Sequence, residues 1–160
     1  MRWKNTRHSA RIENHEYSIE EAFRECFYIV PNYQREYVWT DKEVQQLLDD
    51  IDEQLDTGST REYFIGTILV APTSDKNHFE VIDDQQRLTT FFLILCALRQ
   101  LFKGEAQEKT ISNLVTTDYA GTDGETRVSL KLSPRYENAD ELVSKLVEIN
   151  SDPASSASSS

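Results

Sequence analysis

The sequence predicts a small α/β or α+β domain with a mixed sheet and flanking helices. Three observations favour this class: a length of 160 residues, a hydrophobic content of 38%, and helical and strand patterns that alternate along the chain. The apolar fraction is sufficient for a core and excludes a wholly disordered chain. We expect one domain over residues 17–150, a basic flexible arm over residues 1–16 and a disordered serine-rich tail over residues 151–160.

The first half of the domain shows the order helix, strand, helix. Residues 18–21 read S-x-x-E, a capping box that predicts a short helix to about Arg24. The aromatic and β-branched residues 27–30 predict a strand. A second capping box at residues 40–43 opens a longer helix, which Gly58 ends. Apolar residues at helical spacing predict the buried face of this helix: Val44, Leu47, Leu48, Ile51 and Leu55.

A hairpin and a buried helix follow. Residues 63–71 and residues 79–83 predict two strands, and the turn-forming residues between them favour a hairpin. Residues 88–102 predict a helix that is apolar on nearly every side, so we expect it to be buried. Gly104 ends this helix.

The last third of the chain predicts one more strand and one more helix. Val128, Leu130 and Leu132 alternate with polar residues, as in a half-buried strand. The polar positions are Arg127, Ser129 and Lys131. Residues 138–141 predict the start of the final helix, whose inner face carries Leu142, Val143, Leu146 and Val147.

The charge pattern argues against non-specific DNA coating. The chain has 17 Lys and Arg against 28 Asp and Glu, a net charge of -11, which disfavours broad contact with phosphates. A local anion site is still compatible with this charge, because a few residues make such a site. The arm carries Arg2, Lys4, Arg7 and Arg11. It either contacts phosphate or is a frayed terminus.

The sequence predicts a cytoplasmic protein without a membrane partner. The start is polar and basic and has no apolar segment behind it, unlike a secretory signal. The longest apolar run, residues 91–98, is shorter than the about 20 residues of a membrane span. Cys26 and Cys96 lie in apolar surroundings and are interpreted as buried, reduced thiols. The two cysteines and three histidines lack the spacing of a metal cluster.

Residues 81–90, V-I-D-D-Q-Q-R-L-T-T, are the first candidate site. A strand ends at Asp83 and a helix begins soon after, so free N–H groups and the positive end of the helix dipole favour an anion there. Arg87 adds a forked cation that suits phosphate, and Asp83 can hold Mg²⁺ or act as a base. The alternative is an ordinary capped helix with a surface arginine. Gln85 and Gln86 can hold a phosphate oxygen or orient a water. Thr89 and Thr90 can bond phosphate or bond back to the helix.

Residues 33–39, Y-Q-R-E-Y-V-W, are the second candidate site. Aromatic rings interleave with Gln34 and Arg35, and stacking faces beside hydrogen-bonding groups suit a nucleobase. The alternative is a packed loop that Tyr37 and Trp39 anchor to the core. The aromatic residues are Tyr33, Tyr37 and Trp39.

The chain resembles the N-terminal domain of GmrSD-type, modification-dependent restriction proteins. That domain carries Y-Q-R-x-Y-x-W, then F-L-G-T-I, then V-I-D-G-Q-Q-R-L-T-T. Here the first and third motifs are the two candidate sites, and F-I-G-T-I at residues 64–68 lies between them. The similarity covers roughly residues 17–149 and is faint after Gly104. It implies a ParB/sulfiredoxin-like fold, in which the motif ending in arginine binds phosphate at the start of a helix.

The resemblance also implies functions for the motif residues. It implies binding and Mg²⁺-dependent hydrolysis of a nucleoside triphosphate in a restriction or phage-defence system. The hydrolytic residues are then Asp83, Gln85, Gln86 and Arg87, with Asp83 as the metal ligand. The phosphate contacts are Asp84, Gln86, Arg87, Thr89 and Thr90. The residues that sense modified DNA are Tyr33, Gln34, Arg35, Tyr37 and Trp39.

Asp84 departs from the family pattern, which has glycine at this position. Glycine adopts positive φ and lets the backbone approach a phosphate closely. Aspartate tolerates the left-handed region, so the fold is expected to survive. Its charge costs about 4 kcal/mol against a phosphate at about 4 Å and an effective dielectric constant of about 20. We therefore expect NTP hydrolysis to be weakened or absent.

The length is a second departure. Family members usually continue into a large helical region and often a His-Asn-His nuclease domain, for which this chain has no matching histidines. The chain is interpreted as the front portion of a longer protein, natural or truncated, with a nuclease acting as a separate domain or subunit. Two other functions remain open: a non-enzymatic module that senses DNA modification or binds a partner, and an inactive fragment.

Overall fold

The computed structural model describes residues 12–58 and 62–150. Most of the expected basic arm and all of the expected serine-rich tail lie outside these residues. The helices are α1 (Ile19–Glu25), α2 (Asp41–Asp56), α3 (Gln85–Leu101), α4 (Glu108–Val115) and α5 (Ala139–Asn150). The strands are β1 (Phe27–Val30), β2 (Leu69–Pro72), β3 (His78–Asp83), β4 (Thr116–Ala120), β5 (Thr126–Leu130) and β6 (Leu132–Pro134).

The larger sheet is mixed and has four strands in the order β2-β3-β1-β6. Strand β1 runs parallel to both β3 and β6, and β2 pairs antiparallel with β3 as the predicted hairpin. Strands β4 and β5 form a separate antiparallel pair. The mixed sheet and the helices around it confirm the predicted small α/β class.

The core packs around α3, the predicted buried helix. This helix begins at Gln85 rather than at residue 88, and Phe92 on it is fully buried. The core residues of α3 pack with Phe23 of α1, Tyr28 of β1 and Val81 of β3 in one cluster. A helix that is apolar on most sides is stable only in such a position, between other layers of the fold.

The local signals in the first half are confirmed. The Ser18 hydroxyl accepts from the Glu21 amide at 3.1 Å, and the Glu21 carboxylate accepts from the Ser18 amide at 2.8 Å. This reciprocal capping box starts α1 as expected. Strand β1 has the predicted bounds. Helix α2 ends at Asp56, and Gly58 follows with a φ of 58°.

The predicted buried face of α2 is wrong in part. Leu47 is buried and Ile51 packs partly against the core. Leu48 is exposed, and Leu55 is 73% exposed. The apolar spacing identifies a face, but the core contacts only the row of Leu47 and Ile51, which are four positions apart.

The strand predicted over residues 63–71 is wrong in its first part. Strand β2 begins only at Leu69. The Ile65 carbonyl accepts a hydrogen bond from the Arg87 side chain at 3.1 Å, and Gly66 has a φ of 121°. A side-chain donor and a positive φ therefore replace the sheet ladder in this segment.

The strand predicted around Val128 is two strands, because β5 ends at Leu130 and β6 begins at Leu132. Lys131 between them is buried rather than solvated. Its ammonium donates to the Arg24 carbonyl at 3.0 Å and lies 4.2 Å from the centre of the Phe27 ring. These contacts satisfy the charge inside the fold, while burial lowers the pKa of Lys131.

Helix α4 and strand β4 were not predicted. Ile111, Leu114 and Val115 do lie at helical spacing, but this short apolar group stands within a polar stretch that was interpreted as irregular. Cys96 is buried as expected, and burial raises its pKa to about 11, whereas Cys26 is only half-buried. No helix within residues 12–58 and 62–150 combines the length and apolarity needed to cross a membrane.

The burial pattern predicts that substitutions at Phe92 and Leu55, both expected to be buried, have very different effects on the free energy of unfolding. Phe92→Ala removes a ring that is 0% exposed and should lower the free energy of unfolding by about 3–5 kcal/mol. Leu55→Ala should change it by less than about 0.5 kcal/mol, because that side chain is largely solvated. Urea unfolding of both variants measures the difference, and equal losses would contradict this placement of α2.

Candidate phosphate and nucleic-acid site

Asp84 forms the junction between β3 and α3 by itself. Strand β3 ends at Asp83, α3 begins at Gln85, and Asp84 adopts φ 60° and ψ 37°, the left-handed region. The Asp83 carboxylate accepts from the Asp84 amide at 2.8 Å and supports the turn. This position therefore requires the conformation that favours glycine, and aspartate is one of the few other residues that adopt it readily.

The Asp84 side chain does not cap α3. Its Oδ2 lies 3.2 Å from Nη1 of Arg87, three residues further along the helix. The side chains of Asp84 and Arg87 are 28% and 32% exposed, so solvent screens the pair only in part. The ordinary capped-helix interpretation is thus wrong for Asp84: its carboxylate neutralises the arginine and leaves the first helical turn without a side-chain cap.

Arg87 joins two of the three motifs. Its Nη1 donates to the Ile65 carbonyl at 3.1 Å, which brings the F-I-G-T-I segment against the first turn of α3. Its Nε is buried and has no hydrogen-bond partner among the residues that the structure describes. An unsatisfied buried donor on a guanidinium is costly, and such groups are concentrated where a ligand or water completes the site.

Gln86 holds the 33–39 loop against the helix. Its Oε1 accepts from the Val38 amide at 2.8 Å, and its Nε2 donates to the Glu36 carbonyl at 3.0 Å. Both ends of the buried amide therefore pair with the loop backbone in the way a neighbouring strand would.

Gln85 contributes a second contact to the same loop. Its Nε2 donates to the Arg35 carbonyl at 2.6 Å. Its Oε1 is buried and lacks a partner within the described ranges. Gln85 thus retains an unused acceptor, whereas both polar atoms of the Gln86 amide are occupied.

The 33–39 loop has anchored and exposed side chains. The Tyr37 hydroxyl lies 2.8 Å from Thr90 Oγ1, and Gln34 Nε2 donates to the Ile82 carbonyl at 3.1 Å. Trp39 packs partly against the core. These contacts confirm that the loop is packed, with Tyr37 and Trp39 as anchors.

Tyr33 and Arg35 remain at the surface of this loop. Tyr33 is 66% exposed, and its hydroxyl donates to Glu80 at 3.4 Å. Partial desolvation, and then the nearby Glu80 carboxylate, raise the pKa of Tyr33. The Arg35 side chain is exposed as well. These two side chains stay accessible to a ligand while the rest of the loop is held in place.

The two threonines predicted as possible phosphate contacts lie on the buried part of α3, after its first turn. Thr89 and Thr90 are both buried. The Thr90 hydroxyl bonds back to the Gln86 carbonyl at 2.7 Å, as one of the two interpretations had it, and it also meets Tyr37. The hydroxyl of Thr90 is therefore engaged inside the protein.

The structure brings the three motif segments, residues 33–39, 64–68 and 81–90, together at the start of α3. The sequence had not identified the Ile65 carbonyl or Gly66 as partners of Arg87. The available signal was the F-I-G-T-I motif itself, whose glycine interrupts an otherwise extended segment.

No group of three or more metal-ligating side chains occurs within residues 12–58 and 62–150. Asp83 is exposed, and a single carboxylate is compatible with Mg²⁺, which commonly takes its other ligands from water and phosphate.

The Gln86 contacts predict a specific loss of loop order. Gln86→Ala removes two hydrogen bonds and leaves their backbone partners unpaired, so the free energy of unfolding should fall by about 2 kcal/mol. Amide exchange at Val38 should become faster. The matched control is Gln46→Ala on α2, whose exposed amide contacts only Asp50 in the same helix, and the change should be below about 0.5 kcal/mol. Equal effects in urea unfolding and hydrogen exchange would refute the bridging role of Gln86.

Comparison with known proteins identifies the family. Residues 15–159 match the family described as GmrSD restriction endonuclease, N-terminal domain. A search of curated proteins gave no match. The family match spans nearly the whole chain, and it includes all three motifs that meet at the start of α3. The chain therefore belongs to the family of GmrSD N-terminal domains and is a component of a restriction or phage-defence system.

Proposed function

We propose that the chain is a nucleotide-binding domain whose phosphate site is the start of α3, and that Asp84 weakens this site by competing for Arg87. The observation that carries the proposal is the Asp84–Arg87 pair at a helix start that has no side-chain cap. The pair places a carboxylate where the phosphate of a nucleotide would meet the arginine. Nucleotide binding and any hydrolysis then depend on displacing Asp84.

Two local properties support phosphate as the ligand. The first-turn N–H groups of α3 and its dipole favour a negative charge, and α3 is a 17-residue helix that is buried along most of its length from the first turn onward. Arg87 offers a planar fork with a buried Nε that still lacks an acceptor. A phosphate oxygen supplies that acceptor and exploits the geometry that arginine provides.

The remaining motif residues take separate roles in this proposal. Asp83, exposed at the end of β3, is the candidate Mg²⁺ ligand, and the ion would neutralise phosphate charge when bound. Gln85 is the better candidate to orient a water, because its Oε1 is unpaired while the Gln86 amide is committed to the loop. Thr90 holds Tyr37, and Thr89 is buried beside it.

Asp84 affects binding through its charge and through the arginine that it occupies. Like charges at about 4 Å repel by about 1 kcal/mol in water and about 4 kcal/mol at an effective dielectric constant of about 20. The partial exposure of the pair places the cost between these limits. Removal of the charge should therefore strengthen nucleotide binding by roughly fivefold or more.

Two substitutions at residue 84 separate the effect of the carboxylate charge from the effect of the left-handed backbone conformation. Asp84→Asn removes the charge and keeps a residue that tolerates the left-handed region, and Asp84→Gly also restores the family residue. Both should bind fluorescent ATP or GTP analogues with Mg²⁺ at least about fivefold more tightly than the unaltered chain. Adding Arg87→Ala to either variant should abolish the gain. Asp84→Gly should also raise NTP hydrolysis.

Asp123→Asn is the matched control, because it removes the same charge from another Asp–Arg pair, formed by Asp123 in the turn before β5 and Arg127 on β5. It should leave binding unchanged. Equal affinities for Asp84→Asn and Asp123→Asn would contradict competition for Arg87. Absence of saturable binding in every variant would refute the nucleotide site itself.

A second candidate function is recognition of modified DNA by the 33–39 loop. The observation that favours it is the exposure of Tyr33 and Arg35 on a loop whose backbone α3 fixes. A rigid loop that presents an aromatic ring beside a cation suits a nucleobase and its phosphate. In this function a nuclease domain or subunit would cut the DNA that the loop selects.

If the 33–39 loop senses modified DNA, the preference for modified over plain DNA should depend on Gln34 and Arg35. The double variant Gln34→Ala with Arg35→Ala should lose any preference for modified over plain DNA, measured by fluorescence anisotropy at several salt concentrations. Arg35→Ala alone keeps the Gln34–Ile82 hydrogen bond and tests the arginine without loosening the loop. An unchanged preference in the double variant would exclude this loop as the sensor.

A further inference from the structure

We infer that Gly66, in the F-I-G-T-I segment, is a positioning residue for Arg87, and that its lack of a side chain determines where the guanidinium lies in the phosphate site. The consequence for ligand binding rests on the function proposed above. The contact between Gly66 and Arg87 is a property of the fold and can be tested by itself.

Gly66 lies directly beneath the Arg87 guanidinium. A Cβ placed on Gly66 would overlap Nη1 of Arg87 and would lie 2.9 Å from Cζ and 3.3 Å from Cδ. Real Cβ atoms essentially never come within 3.0 Å of another heavy atom, so a larger residue at position 66 must displace the guanidinium, which is the flexible end of the Arg87 side chain. The guanidinium therefore lies in space that only glycine leaves open.

The contacts of the Arg87 guanidinium beside Gly66 hold it at the start of α3. The Ile65 carbonyl accepts from Nη1 at 3.1 Å, and the Asp84 carboxylate lies 3.2 Å from the same nitrogen. Arg87 is thus held by the Ile65 carbonyl and by Asp84, which directly precedes α3. A side chain at residue 66 would displace the guanidinium from its position at the helix start, where the anion is proposed to bind.

The other described glycines with positive φ lack this feature. Gly104 has a φ of 85° and Gly58 a φ of 58°, and a Cβ on either meets nothing within 4 Å. These glycines serve turns, so substitution there carries only backbone strain. Gly66 has a φ of 121° and adds an overlap with a functional side chain. The two effects can be separated by comparing Gly66→Ala with and without Arg87, because the backbone strain at residue 66 is the same in both backgrounds.

The test combines binding with a thermal double-mutant cycle. In the Asp84→Asn background, Gly66→Ala should reduce affinity for Mg²⁺ with a fluorescent ATP or GTP analogue by roughly tenfold or more, as Arg87→Ala does. Gly104→Ala should leave the affinity unchanged. Gly66→Ala should lower Tm more when Arg87 is present than when residue 87 is alanine, because the added methyl group overlaps a guanidinium only in the first background.

Each possible result either supports or contradicts the positioning role of Gly66. Equal Tm losses in the Arg87 and Arg87→Ala backgrounds would overturn it, and so would unchanged nucleotide affinity in Gly66→Ala. If no variant binds nucleotide, the proposed function fails, and the thermal cycle still decides whether Gly66 positions Arg87. If Gly66→Ala does not fold, recovery of folded protein in Gly66→Ala with Arg87→Ala supports the inference, and failure to recover contradicts it.

Discussion

The left-handed backbone of Asp84 is the constraint on which the site depends. One residue turns the chain from β3 into α3, so the first helical turn begins directly at the end of the sheet. Gln86 and Thr90 then lie four residues apart on one face of α3, and both contact the 33–39 loop. Arg87 contacts the Ile65 carbonyl instead. A different junction geometry would change the direction of all three side chains.

The polar side chains at the start of α3 hold the 33–39 loop in place as well as forming a candidate site. The amides of Gln85 and Gln86 bind backbone groups of residues 35–38 and so act as a short substitute for strand pairing. Among the residues that the structure describes, the buried side-chain atoms without a hydrogen-bond partner are Gln85 Oε1 and Arg87 Nε, both in the first turn of α3. This unused hydrogen-bonding capacity lies beside the Asp84–Arg87 pair, which is the physical basis for proposing a ligand there.

Local patterns predicted the elements that local interactions determine. The Ser18 capping box, the β2–β3 hairpin and the strand-to-helix change after Asp83 depend on neighbouring residues and were recognisable. Burial of Lys131 depends on a carbonyl 107 residues away, and the irregular backbone at Ile65 depends on Arg87. Such contacts between distant parts of the chain leave no periodic signal. The motif resemblance gave the candidate site residues. The geometry then distinguished Gln86, whose amide is fully paired with the loop, from Gln85, whose Oε1 has no partner among the described residues.

The proposed function requires that Asp84 occupies the arginine that would bind phosphate. NMR can test this by following the Nε–Hε resonance of Arg87 while Mg²⁺ and a nucleoside triphosphate are titrated into the unaltered chain and into Asp84→Asn. We expect a saturating shift of this resonance in Asp84→Asn at nucleotide concentrations that leave the unaltered chain nearly unchanged. Identical titrations of the two proteins, or nucleotide binding that leaves the Arg87 resonance unmoved, would contradict it.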